Sequence, residues 1–186
     1  ALHRGDSPPP NKDEKIRSTR RDALQILAAE RLAENDINIL WDSLGDNYFL
    51  RHRPDEVAWH TGTILSTDEQ DIPIVAVRSF ESRGATAVFV YQPDVDNLYA
   101  IATAALDGLR LNVQDARIIT SNAGYTLDTF MVVDADTGEP IEDAARIQTV
   151  SSKIRSAILS GSVTTVAPTS ATKRKIKHLT IPATVE

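Results

Sequence analysis

Two Asp-x-Asp pairs, Asp94/Asp96 and Asp134/Asp136, are the residues whose type and spacing first suggest chemistry in this chain. Such a pair can hold Mg2+ for phosphoryl or nucleotidyl transfer. That chemistry also needs a phosphate cradle upstream, whereas the only Gly-Ser step, Gly161-Ser162, lies far downstream. Each pair also falls where a helix cap or a turn favours aspartate, and both read as structural. The histidines are His3, His52, His60 and His178, with no HExxH and no His-Asp step. His52 and His60 stand on either side of Pro54, so they do not share one regular helix face. Packing and hydrogen bonding beside Tyr48 and Trp59 is the expected role for both. No serine lies in a G-x-S-x-G elbow. On these residues the chain carries no catalytic site of its own.

The stretch RIITSNAGYTLDTFMVVD (117–134) reads as two strands around a short loop at Ser121–Gly124. Alternation along its second arm puts Leu127, Thr129, Met131 and Val133 on one face and Asp128, Phe130 and Val132 on the other. Asp115 and Arg117 share a face of the opposite arm. The expected reading of Asp128 is an ion pair exposed on the outside of a sheet, contributing about 0.2–1 kcal/mol. The sheet face away from the two helices is expected to meet a partner or water.

These residues sit in a chain of 186 residues with 41% hydrophobic and 25% charged content, enough for a cored domain and typical of soluble proteins. Runs such as PIVAV and AVFVY are too short to span a bilayer. No secretory pattern opens the sequence. The absence of cysteine excludes disulfides and thiolate chemistry and fits a reducing, cytoplasmic compartment. A net charge of −6 without a basic stripe argues against nucleic-acid binding.

The elements that must position these groups follow from periodicity. Residues 1–11, with SPPP and an RGD tripeptide, read as an irregular lead. Residues 12–66 read as three helices. Leu24, Leu27, Ala28 and Leu32 form one stripe of the first, Asn35 or Asp36 caps the second, which Gly45 ends, and Pro54 opens the third, with Asp55 and Glu56 in its first turn. From 73 onward the pattern is strand (PIVAVRSF), strand (ATAVFVYQ), helix, strand, strand, helix. The first helix carries Leu98, Ile101, Ala102, Ala105 and Leu109. The second, capped by Asp143, carries Ile147, Val150, Ile154 and Ile158. A Ser/Thr/Ala linker at 160–172 and a last strand at 176–185 complete the chain. The βαββαβ order predicts an α+β fold with a four-stranded antiparallel sheet and both helices on one face, the strand at 73–80 adding an edge.

The runs DNYFLRHRPDEVAWHTGTIL and TAVFVYQPDVDNLYAIATAALDGLRLNVQDARIITSNAGYTLDTFMVVD strongly resemble bacterial PII uridylyltransferase/uridylyl-removing enzymes, nitrogen sensors that modify the PII signalling protein. The likeness extends from about residue 12 to HLTIPATV. It implies a parent with a nucleotidyltransferase domain, an HD phosphohydrolase domain and two ACT domains, with Mg2+ expected in the catalytic domains. This chain resembles the part from the end of the HD region (12–66) through the first ACT domain (73–186), a ferredoxin-like module. The implied effector is glutamine, and the implied partners are the HD domain, the second ACT domain, the PII protein and a second copy through the ACT sheet or helices. The implied effector loop is Gln92–Leu98, with Asp94, Asp96, Asn97 and Leu98. It lacks the glycine of the common D-x-P-G-L pattern. Asn97 and the helix that follows would meet a carboxylate, and Asn112, Gln114 and Asp115 an α-amino group. The alternative is a scaffold in which the module only pairs and relays a signal.

Overall fold

A computed structural model describes residues 11–161. The irregular lead, the RGD tripeptide, most of the linker and the strand at 176–185 lie outside the described residues, as do His3 and His178. Four helices, α1 (Lys12–Leu27), α2 (Glu34–Ser43), α3 (Asp46–Arg51) and α4 (Pro54–Leu65), precede β1 (Ile74–Phe80), β2 (Ala85–Pro93), α5 (Leu98–Gly108), β3 (Leu111–Arg117), β4 (Tyr125–Asp134) and α6 (Ala144–Ser160). The chain is therefore α+β, with the helical segment first and the sheet after it.

The helical segment holds one helix more than the periodicity predicts. The reason lies in Arg53, which is extended (φ −84°, ψ 160°) ahead of Pro54. A proline disfavours the helical region for the residue before it, so α3 must end and α4 must begin anew. Two caps also differ from expectation. Ala33 is the N-cap of α2, placing Asn35 and Asp36 inside its first turn. Leu44 closes α2, and Gly45 instead N-caps α3 in an extended conformation. Asp143 does cap α6, accepting from the Arg146 amide at 2.7 Å, and left-handed Gly161 (φ 62°) ends it.

The strands form one antiparallel sheet in the order β1-β2-β4-β3. In a βαββαβ module the final strand lies antiparallel beside the first. Here β1, which comes before the module, holds that position against β2 and completes four strands from the described residues alone. Helix α6 ties β1 down: Ser151 Oγ donates to the Val75 carbonyl at 2.6 Å, and Arg155 Nε donates to the Pro73 carbonyl at 3.0 Å.

Both faces of the sheet are covered. On one, Val88, Val90, Phe130 and Val132 pack with Leu98, Ile101 and Leu106 of α5 and Val150, Ile154 and Ile158 of α6. This is the two-helix face that the sequence pattern predicts. On the other, Phe89 and Leu127 join Ala23, Trp41, Tyr48, Phe49 and Val57 of the helical segment, while Ala87 and Met131 pack around Phe80 and Trp59. Helix α4 is the contact layer: the His60 ring stacks on Phe89 with centroids 4.0 Å apart. The face expected to meet a partner or water is buried under α1–α4.

Candidate functional site

Asp128 shares a face with Phe130 and Val132, as alternation predicts, but that face is the α5/α6 side rather than the outside of the sheet, and Asp128 is not exposed. It is 1% exposed, and Thr126 Oγ1 donates to its Oδ1. Burial pushes its carboxyl up to about 6, against the lowering effects of the Thr126 and Ile119 hydrogen bonds. The expectation of an exposed ion pair is thus corrected: the partner of Arg117 is Asp115, at 2.8 Å, with Glu56 behind it. Its neighbours along the strand, Leu127 and Thr129, and on its own face, Thr126 and Phe130, gave no sign that the carboxylate would be buried.

On the opposite face, the helical segment and the sheet share a polar cluster. His52 Nδ1 lies 2.9 Å from the Tyr48 carbonyl, which can only accept, so Nδ1 carries the proton. His52 Nε2 therefore accepts, and Thr129 Oγ1, 3.5 Å away, donates to it. Thr129 then has only a lone pair left for His60 Nε2, also at 3.5 Å, which must be the protonated nitrogen. His60 Nδ1 accepts from the Tyr48 hydroxyl at 2.9 Å. The ring of hydrogen bonds starts at the Tyr48 hydroxyl and returns to the Tyr48 carbonyl, with both imidazoles neutral. Burial lowers His52 to about 4 and His60 well below the ordinary histidine value. Both histidines thus serve packing and hydrogen bonding, as expected of them. Among the described residues no group of three or more His, Cys, Asp or Glu could hold a metal ion.

Beside this ring runs a chain of alternating charge. Asp55 accepts from Arg83 at 2.7 Å, Arg83 reaches Glu56 at 2.6 Å, Glu56 accepts from Arg117 at 2.9 Å, and Arg117 donates to Asp115. Glu56 is fully buried and also accepts from the Arg53 amide at 2.9 Å. Burial alone would raise its carboxyl, but the Arg53 amide and the Arg117 and Arg83 guanidiniums outweigh that and hold it below the ordinary glutamate value. The chain joins α4, the turn after β1 and strand β3. A recess of about 700 Å3 opens beside it, lined by Arg53, Arg83, Asn112, Gln114, Asp115 and Arg117 among others.

The expected effector residues fall into two places. Asp94, Asp96 and Asn97 are exposed in the loop between β2 and α5, and Leu98 is buried as the first residue of α5. Asn97 is left-handed (φ 64°) and its side chain makes no capping hydrogen bond. Asn112, Gln114 and Asp115 are exposed on β3 and line the recess. Pro93 pairs with Tyr125 at one end of β4, whereas Asn112 pairs with Val133 near the other. At about 3.3 Å per residue the two groups are roughly 26 Å apart. The structure therefore does not bring them into one site. Sequence spacing missed Arg53, Arg83 and Glu56, which only the docking of α4 brings to β3. The one available signal was the pairing of Asp55 and Glu56 with Arg53 around Pro54.

Residues 11–63, close to the whole of α1–α4, match a family model described as "Uridylyltransferase GlnD fifth domain". A bifunctional uridylyltransferase/uridylyl-removing enzyme from Azotobacter vinelandii is 42% identical over 153 residues, which is 81% of this chain and 17% of that protein. The enzyme of the same name from Pseudomonas putida strain GB-1 is 36% identical across 100% of this chain and 21% of its own length. That of Pseudomonas syringae pv. syringae is 41% identical over 81% of this chain. No solved structure matches. The chain spans about a fifth of the length of the curated relatives it matches. The helical segment, the sheet packed on it and these identities along most of the chain agree: the chain belongs, as a segment, to the bifunctional uridylyltransferase/uridylyl-removing enzyme family.

Proposed function

We propose that this chain is the regulatory, amino-acid-sensing segment of such an enzyme, with glutamine as effector and an ACT-type sheet as sensor. In the parent, glutamine would favour removal of uridylyl groups from a PII signalling protein. The observation that carries this reading is the chain of ion pairs from Asp55 to Asp115, buried at its centre on Glu56, which joins the helical segment to the sheet. A ligand that engages the sheet is then mechanically coupled to α4, and through α1–α4 to whatever precedes them. An event at the sheet can be transmitted only if the two move together, and removing one partner of a buried ion pair is costly.

The test is isothermal titration calorimetry of the 186-residue chain with glutamine, using glutamate as control. Saturable heat selective for glutamine supports the reading. Silence at millimolar glutamine refutes it for this segment. A second reading, the pairing scaffold, is favoured by the outer edge of β3, unpaired among the described residues, where Val113 is 39% exposed and Ile118, just after the strand, 41%. An unpaired strand edge is a template for another strand. Light scattering that shows a dimer dissolved by Val113→Lys would support it, and a monomer at high concentration would sink it.

A further inference from the structure

Strand β3 carries one residue too many. Val113 pairs with Val132 and Asp115 with Met131, which are neighbours on β4, so Gln114 has no partner. Such a bulge re-aims the side chains around it and is common beside functional sites. In an unbroken strand Asn112 and Asp115 would face opposite ways. With the bulge, Asn112 stands opposite Val133, Asp115 opposite Met131 and Arg117 opposite Thr129. Those β4 residues all face the helical segment, so the bulge gathers Asn112, Asp115 and Arg117 onto the side where the recess opens.

The groups that face this recess are underused by the protein. The Arg53 guanidinium has no carboxylate or carbonyl partner among the described residues, and neither the Asn112 nor the Gln114 carboxamide has a hydrogen bond there. Asp115 gives Oδ2 to Arg117 and keeps Oδ1 free. Arg83 Nε is buried without a partner. A volume of about 700 Å3 lies in the range of small-molecule sites. Charge decides the class of ligand. Three arginines (53, 83, 117) are matched by three carboxylates (55, 56, 115) in and around the recess. A locally balanced site favours a dipolar, net-neutral molecule over a free anion such as phosphate, whose charge nothing would offset.

We infer that this recess, not the loop at 94–98, seats a free α-amino acid bearing a side-chain carboxamide. Its carboxylate pairs with Arg53, its ammonium with the free oxygen of Asp115, and its carboxamide with Asn112 and Gln114. The inference rests on the sensing reading above and names the seat that reading leaves open.

The experiment is a 1H–15N NMR titration of the full 186-residue chain with glutamine, and with glutamate and inorganic phosphate as comparison probes. The expected result is saturating movement of the Asn112 and Gln114 side-chain amide signals. Arg53→Ala and Asn112→Ala should each weaken binding roughly tenfold or more, the loss of about one charge-assisted or paired polar contact. Asn97→Ala should stay within about twofold of the parent chain. Both recess positions are exposed, and the spectrum of each variant reports directly that it is folded. Glutamine binding that is lost in Asn97→Ala and kept in the recess variants overturns the proposal while leaving sensing intact. No saturable movement at tens of millimolar glutamine overturns both. Displacement of glutamine by phosphate at the same amides overturns the amino-acid assignment.

Discussion

Replacing Glu56 with Gln keeps the shape of the side chain and an oxygen for the Arg53 amide, and removes the one charge that Arg83 and Arg117 share. Breaking a buried ion pair from one side costs about 3–5 kcal/mol. Each arginine here keeps a second carboxylate, Asp55 for Arg83 and Asp115 for Arg117, so the lower end applies, about 3 kcal/mol. For an ordered part of roughly 150 residues this corresponds to a fall in Tm of about 6–12 °C. Thermal unfolding followed by tryptophan fluorescence suits the question, because Trp59 lies within 6 Å of Phe80 and Phe89 on the sheet (centroid distances 5.8 and 5.9 Å). The pH dependence supplies a second reading. A carboxyl held low in the folded state contributes stability above its unfolded value and loses it as pH falls through the folded one. The gap between parent and Glu56→Gln should therefore be full at pH 7 and close below about pH 4. A variant within about 0.5 kcal/mol of the parent at pH 7, or a gap that does not narrow in acid, would refute the claim that Glu56 fastens the two layers.

Three further outcomes are expected. Neutral His52, lowered to about 4, makes the fold lose stability as pH drops from about 6.5 to 4, because the unfolded chain takes the proton first; the loss is about 3 kcal/mol, and urea titrations across that range measure it. Asp128, raised to about 6, acts in the opposite sense, since the folded chain takes its proton first between about 6 and 4; Asp128→Asn should raise stability at pH 7 by up to about 3 kcal/mol and leave the acid loss from the histidines undisguised, and unchanged stability would count against a buried carboxylate there. Thr129→Val opens the ring between the two imidazoles and should cost about 1–3 kcal/mol, visible as a lower urea midpoint at constant slope.

The regular parts of the fold were legible because periodicity is local. The stripe of Val150, Ile154 and Ile158, the cap at Asp143 and the alternation from Leu127 to Val133 each follow from residues within a few positions of one another. What escaped depends on distance along the chain. Arg117 meets Glu56 across 61 residues and Arg83 meets Asp55 across 28, and no local pattern announces either pairing. The bulge at Gln114 was invisible for a different reason: an exposed strand of mixed polarity, NVQDAR, alternates too weakly to show where one residue is extra. Asp128 was misplaced because alternation assigns a face but not what lies over it. The same limit kept the helical segment and the sheet apart in the sequence reading.

The position of β1 also bears on how this segment can be cut. Because a strand from just after α4 closes the sheet at β2, a piece beginning at Ala85 would present seven bare backbone positions, from Ala85 to Tyr91, to solvent. Any extended peptide of suitable polarity could then take the vacant place, including the same strand from another molecule. Proteolytic nicking in the turn between β1 and β2 should accordingly leave two pieces that remain associated through that strand, and a shortened chain lacking residues 74–80 should exchange strands or aggregate where the longer one stays in solution.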